Sequence, residues 1–79
     1  MMEYNVDVLW DAEASVWVAT SEDIHGLVLE SGSFDALTER VRNAVPELLA
    51  LNGNTPPEAS LCLRSERHVR VFAYCNRRS

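Results

Sequence analysis

The segment "EYNVDVLW" alternates apolar and polar positions, with Tyr4, Val6, Val8 and Trp10 on one side and Asn5, Asp7 and Leu9 on the other. A period of two is the pattern of a half-buried strand. "DAEAS" is small and polar, which suits a hairpin loop of five residues, and the β-branched, aromatic "VWVAT" predicts the returning strand. A five-residue loop places Trp10 opposite Val16, Leu9 opposite Trp17 and Val8 opposite Val18. Opposed residues share a face. The expectation is therefore a valine-rich face (Tyr4, Val6, Val8, Trp10, Val16, Val18) against a second face with Asn5, Asp7, Leu9, Trp17 and Ala19.

"SEDIHG" predicts a second loop and "LVLES" a third short strand. From Phe34 the period changes to three or four, through Leu37, Val41, Val45 (or Ala44), Leu48 and Leu51. That spacing is one stripe of an amphipathic helix of about 18 residues. Ser33 suits its N-cap, Asp35 suits the positive end of its dipole, and Gly53 suits its C-terminal stop. Pro46 removes a backbone donor inside the helix, so a bend near Arg42 is expected within one helix. "NTPPEA" is a linker. "SLCLR" and "VRVFAYC" predict a strand pair, about residues 59–75, around a turn at "SERH". The expected order is β-β-β-α-β-β: an α+β fold with an antiparallel meander and one helix on one sheet face. One domain spans residues 1–79, with its core in 3–53.

Five strands side by side span roughly 20 Å, whereas a helix with its side chains is about 10–12 Å wide. One helix covers one face and leaves the other open. Leu9, Trp17 and Ala19 are expected there, as a partner or oligomer interface. A chain of 79 residues buries only about 60–65% of its unfolded surface, which strengthens the expectation of self-association, as a dimer or tetramer.

The net charge of −5 argues against a generic DNA binder and is unevenly spread. Residues 1–63 carry Arg40 and Arg42 against eleven acids, a balance of −9, while residues 64–79 carry five arginines against Glu66, a balance of +4. The acidic body suits a basic partner; the C-terminal segment suits phosphate. With no basic-flanked apolar leader and no apolar run of membrane-spanning length, the cytoplasm is the expected location.

Candidate chemistry is sparse. Asp11 and Glu13 fall in the first loop and Glu22 and Asp23 in the second, at opposite ends of a meander, so they do not converge on one metal. His25 adds no recognised ligand spacing. Asp7 should point away from Glu39 and Glu47 on the helix, which removes a two-metal carboxylate site. The expected strand pair puts Cys75 opposite about residue 58, roughly 13 Å along the strand from Cys62, beyond the ~7 Å reach of a disulfide. No phosphate loop or nucleophile motif is present. The expectation is no catalytic residue, no metal and no cofactor.

"VLWDAEASVWVATSEDIHGLVLES" followed by "SFDALTERVRNAVPELLALNG", residues 8–53, resembles the small HicB-like domains. In these a W-D-x-E-x-x-V-W-V-A-x-S-x-D-h-x-G-L hairpin precedes a helix ending in V-P-E-L-L. The resemblance implies a truncated ribonuclease H-like fold without its catalytic residues, homo-oligomerisation, and an antitoxin role in a toxin-antitoxin system. Full HicB antitoxins block HicA, a small basic RNA-cleaving toxin, so a HicA-like toxin is the implied partner. The DNA-binding domain that many of them carry after this core has no counterpart in the motifs here. The alternative reading is an oligomeric regulatory protein that binds nucleic acid through Arg64, Arg67, Arg70, Arg77 and Arg78.

Overall fold

A computed structural model describes residues 2–56 and 58–72 of the chain. Strand β1 spans Met2–Asp11, β2 Val16–Thr20 and β3 Val28–Ser31; helix α1 spans Phe34–Leu51 and strand β4 Ala59–Glu66. The four strands form one sheet in the order β3-β2-β1-β4. The first three make the expected antiparallel meander, and β4 joins the far edge of β1 in parallel. The fold is α+β with the helix on one side of a mixed sheet.

Parallel pairing follows from the helix. β3 carries the chain in the direction of β1, α1 brings it back across the sheet, and the next strand must again run as β3 does. The expected hairpin around "SERH" does not form, because β4 continues through Ser65 and Glu66. Ser65, the weaker hydroxyl type, is the lone turn-favouring residue of that tetrapeptide, which holds no Gly, Pro, Asn or Asp. Residues 67–72 are not strand, and the remainder of the expected fifth strand, with Cys75, lies outside the described residues.

The first hairpin is one residue tighter than its composition suggests. Asp11 pairs with Val16 across a four-residue loop, so Trp10 faces Trp17, Leu9 faces Val18 and Val8 faces Ala19. The Asp11 Oδ1 accepts the backbone N–H groups of Glu13 and Ala14 at 3.1 and 3.2 Å. Ser15 then takes a left-handed conformation, φ 56°, which closes the turn. A one-residue slip sends every β2 side chain to the opposite face. Trp17 and Ala19 accordingly lie on the helix side, and Val16 and Val18 on the open side. Ala19 is fully buried.

The second loop is built into the sheet. β2 ends at Thr20, opposite Asp7, so Asn5, paired with Cys62 on its β4 side, has no β2 residue facing it. Ser21 Oγ donates to the Asn5 carbonyl at 2.6 Å, and Asp23 Oδ2 accepts the Asn5 N–H at 2.7 Å. Two side chains thus replace a missing rung of the ladder. Ser21 Oγ also accepts the N–H groups of Asp23 and Ile24. Held this way, the loop delivers Ile24 and Leu27 to the core, where both are buried with Tyr4, Val6 and Val8 of β1.

Helix α1 begins at its expected cap, with the Ala36 N–H donating to Ser33 Oγ at 3.2 Å. It runs unbroken through Pro46. Leu37, Val41, Val45 and Leu49 are its buried stripe, so the last apolar position is Leu49, not Leu51, which points to solvent. The end is a Schellman arrangement: Gly53 at φ 77° donates to the Ala50 carbonyl and Asn54 to the Leu49 carbonyl. Asn52 Nδ2 then donates to the His25 carbonyl and Asn54 Nδ2 to Tyr4 Oη, tying this end to the loop and to β1.

At the other end, an aromatic ladder closes the gap between helix and sheet. Trp10 and Trp17 meet edge to face with centroids 5.2 Å apart, and Trp17 and Phe34 repeat the arrangement at 5.2 Å. The Arg67 guanidinium stacks over Trp10 at 4.2 Å from its centroid. Such contacts each contribute about 0.5–1.5 kcal/mol beyond area burial. Replacing Trp17 by alanine should therefore lower unfolding stability by about 3 kcal/mol, read from urea denaturation. Asp11→Ala should lower it by about 1–2 kcal/mol, since two turn N–H groups lose a charged acceptor; a midpoint equal to that of the parent chain would contradict the turn assignment.

Candidate functional site

The helix and the second loop cover one face of the sheet, and the other is open. Its residues follow from the strand registers. β1 supplies Glu3, Asn5, Asp7, Leu9 and Asp11; β2 Val16, Val18 and Thr20; β3 Val28 and Glu30; β4 Ser60, Cys62, Arg64 and Glu66. Leu9 is 51% exposed and faces the half-buried Val18 directly, while Val28, 66% exposed, lies one diagonal step away beside Thr20, with Glu30 opposite Val18 on β3. The apolar positions therefore run obliquely across the strands. Around them stand five carboxylates (Glu3, Asp7, Asp11, Glu30, Glu66) and one guanidinium. Arg64 donates to Asp7 Oδ1 at 3.1 Å across the β1–β4 pair, a half-exposed ion pair that contributes little to stability.

Of the three expected interface residues, Leu9 lies on the open face as expected. Trp17 and Ala19 do not, because the tighter hairpin turned them inward. Trp17 is part of the ladder beneath the helix N-terminus, and Ala19 sits in the core. Val16 and Val18, the expected inward residues, take the open face in their place. No composition signal marks this exchange; the clue is Asp11, a residue able to shorten the loop by accepting two backbone bonds.

The three described members of the arginine set, Arg64, Arg67 and Arg70, do not gather into one patch. Arg64 is on the open face with Asp7, and Arg67 is on the helix side over Trp10. Arg70 is exposed beyond the sheet, and Arg77 and Arg78 lie outside the described residues. Among the described residues no group of three His, Cys, Asp or Glu side chains could hold a metal ion. The loop carboxylates have other uses: Asp11 holds a turn, Asp23 holds Asn5, and Glu13 and Glu22 are exposed. Asp7 points away from the helix, as expected. Cys62 is a half-buried free thiol. No helix among the described residues is long and apolar enough to cross a membrane.

A second concavity lies on the other side of the molecule. It runs between the C-terminal half of α1 and the start of β4, with a volume of about 490 Å³ and walls that include Val45, Pro46, Leu49, Pro56, Ala59 and Leu61. The helix packs over β3 and β2, so β4 projects past its shelter and leaves this groove.

Comparison with known proteins agrees with this architecture. A solved crystal structure of a hypothetical protein from the extremely thermophilic bacterium Thermus thermophilus is 38% identical, with a TM-score of 0.68 over 89% of this chain and 97% of that one. No curated protein matches. The family model described as "Domain of unknown function (DUF1902)" matches residues 3–74, which takes in all four strands, the helix and the open face. The chain belongs to the DUF1902 family.

Proposed function

We propose that this chain is a non-enzymatic, HicB-like protein-binding domain of the antitoxin type, which self-associates and uses its open sheet face to cover a small basic ribonuclease toxin in the cytoplasm. The make-up of that face carries the reading. Leu9, Val18 and Val28 form an apolar centre, and five carboxylates against one guanidinium give the surrounding positions an acidic balance. A protein that cleaves RNA presents a basic surface, and an acidic face with a dry centre is its complement. Opposite potentials speed encounter, while the desolvated centre sets residence time.

The residues behind the family resemblance support the same division of labour. Trp10, Asp11, Trp17, Ser21 and Asp23 stack, cap and clamp the sheet. They specify the scaffold, and the residues between them on the open face are left to define the partner. Nucleic-acid binding through the C-terminal arginines is weakened as a reading, since Arg64 and Arg67 are engaged by Asp7 and Trp10 on opposite faces.

Co-expression with a small basic RNA-cleaving protein encoded beside this chain is the test. The expected result is a co-purifying complex and survival of the host. Leu9→Lys should abolish both while shifting unfolding stability by no more than about 0.5 kcal/mol, because Leu9 is exposed. No complex and no protection, or protection unaffected by Leu9→Lys, would sink the reading.

A further inference from the structure

β4 ends the sheet on one side, and its outer edge pairs with no described strand. Free edges of this kind are templates for another chain. The residues that follow it, 67–72, continue the strand-like alternation of "RHVRVF" yet join no strand, and Val69, Val71 and Phe72 are 68%, 78% and 76% exposed. Near the start of β4 lies the groove beside α1, with Ala59 and Leu61 in its wall. An unpaired edge, an unburied apolar segment and an open apolar groove thus occur on one strand and its extension.

The segment does not reach its own groove. β4 carries the chain from Ala59 to Glu66, roughly 23–26 Å away, and Arg67 is fixed at that far end over Trp10. A second copy turned antiparallel solves the geometry, because it brings the start of its β4 alongside the first copy's extension. We propose that two copies of this chain join through their β4 edges in this way, each laying residues 67–72 along the groove of the other.

Side-chain chemistry selects the register. Opposed residues in an antiparallel pair share a face, so the helix-side residues Leu61, Leu63 and Ser65 must meet helix-side residues. That requirement puts the two-fold axis through a residue. An axis at residue 64 sets Arg64 against Arg64, and one at residue 66 sets Glu66 against Glu66. Like charges directly opposite are destabilising. An axis at Ser65 sets Arg64 against Glu66 twice, Val69 against Leu61 and Val71 against Ala59. This register pairs both Arg64 side chains with Glu66, sets Arg67 against Leu63 and Arg70 against Ser60, and brings both valines to the groove wall. The contact is isologous and closed, and it joins two four-stranded sheets into one of eight.

This interface deepens the self-association in the proposed function and rests on it; it engages Arg64 and Glu66 at the β4 rim of the open face but leaves Leu9 and the β1–β3 part of that face free, so the two fail separately. The test uses the full chain with Cys62→Ser and Cys75→Ser as parent. Sedimentation should show a two-chain species. Adding Ser65→Cys should give a covalent dimer on mild oxidation, because opposed α-carbons lie about 4.5–5.5 Å apart, within disulfide reach. The double variant Val69→Asp, Val71→Asp should weaken dimerisation about tenfold or more with an unchanged fold, since both side chains are exposed in one copy. A monomeric parent overturns the interface and the self-association together. A dimer indifferent to the valine substitutions, or one cross-linked better through Glu66→Cys than through Ser65→Cys, overturns this interface alone.

Discussion

The carboxylate of Asp11 decides which side of β2 is inside. By accepting the N–H groups of Glu13 and Ala14 it draws the first hairpin into a four-residue loop, and the strand that follows is committed, residue by residue, to one orientation. Trp17 then meets Trp10 and Phe34 under the helix N-terminus, and Ala19 leaves room in the core against Val8. With one more loop residue the indole would stand in solvent and Val18 would be buried. The aromatic ladder, the helix seating and the composition of the open face all inherit this one choice.

A second polar device completes the scaffold at the opposite end. Ser21 and Asp23 supply Asn5 with the partners that β2 would have given had it been longer. Stopping β2 early frees the chain to dip Ile24 and Leu27 into the core, which a regular hairpin could not do. The acidic residues that look like a ligand cluster along the sequence are divided between these two tasks and solvent. What remains uncovered is a sheet face with apolar positions and a negative surround.

Much of this was legible from the residues. The period of two in β1, the period of three to four in α1, the Ser33 cap and the Gly53 stop all act locally, and local signals survive into the fold. The direction of β4 did not show in its sequence, because a strand's composition says nothing of whether its neighbour runs with it or against it. The fate of Trp17 was hidden for a different reason. Its alternation with Val16 and Val18 admits both faces equally, since all three are apolar, and only the loop length breaks the tie. Leu51 failed as a core position because the helix ends there: its stripe follows the four-residue steps from Leu37 to Leu49 and leaves the last turn outside.

The parallel union of β1 and β4 has a consequence for how the molecule is made. β1 stands between a neighbour that emerges a few residues after it and one that begins at Ala59, with Met2 and Ala59 paired across more than fifty positions of chain. The meander and α1 can organise on a nascent polypeptide from nearby contacts alone, which form early and fast. The other flank of β1 stays bare until β4, the last of the four strands in the sheet, has been made. Closure of the sheet is therefore the late, slow event, and a lesion in β4 should be felt more in the yield of folded protein than in the order of the earlier steps.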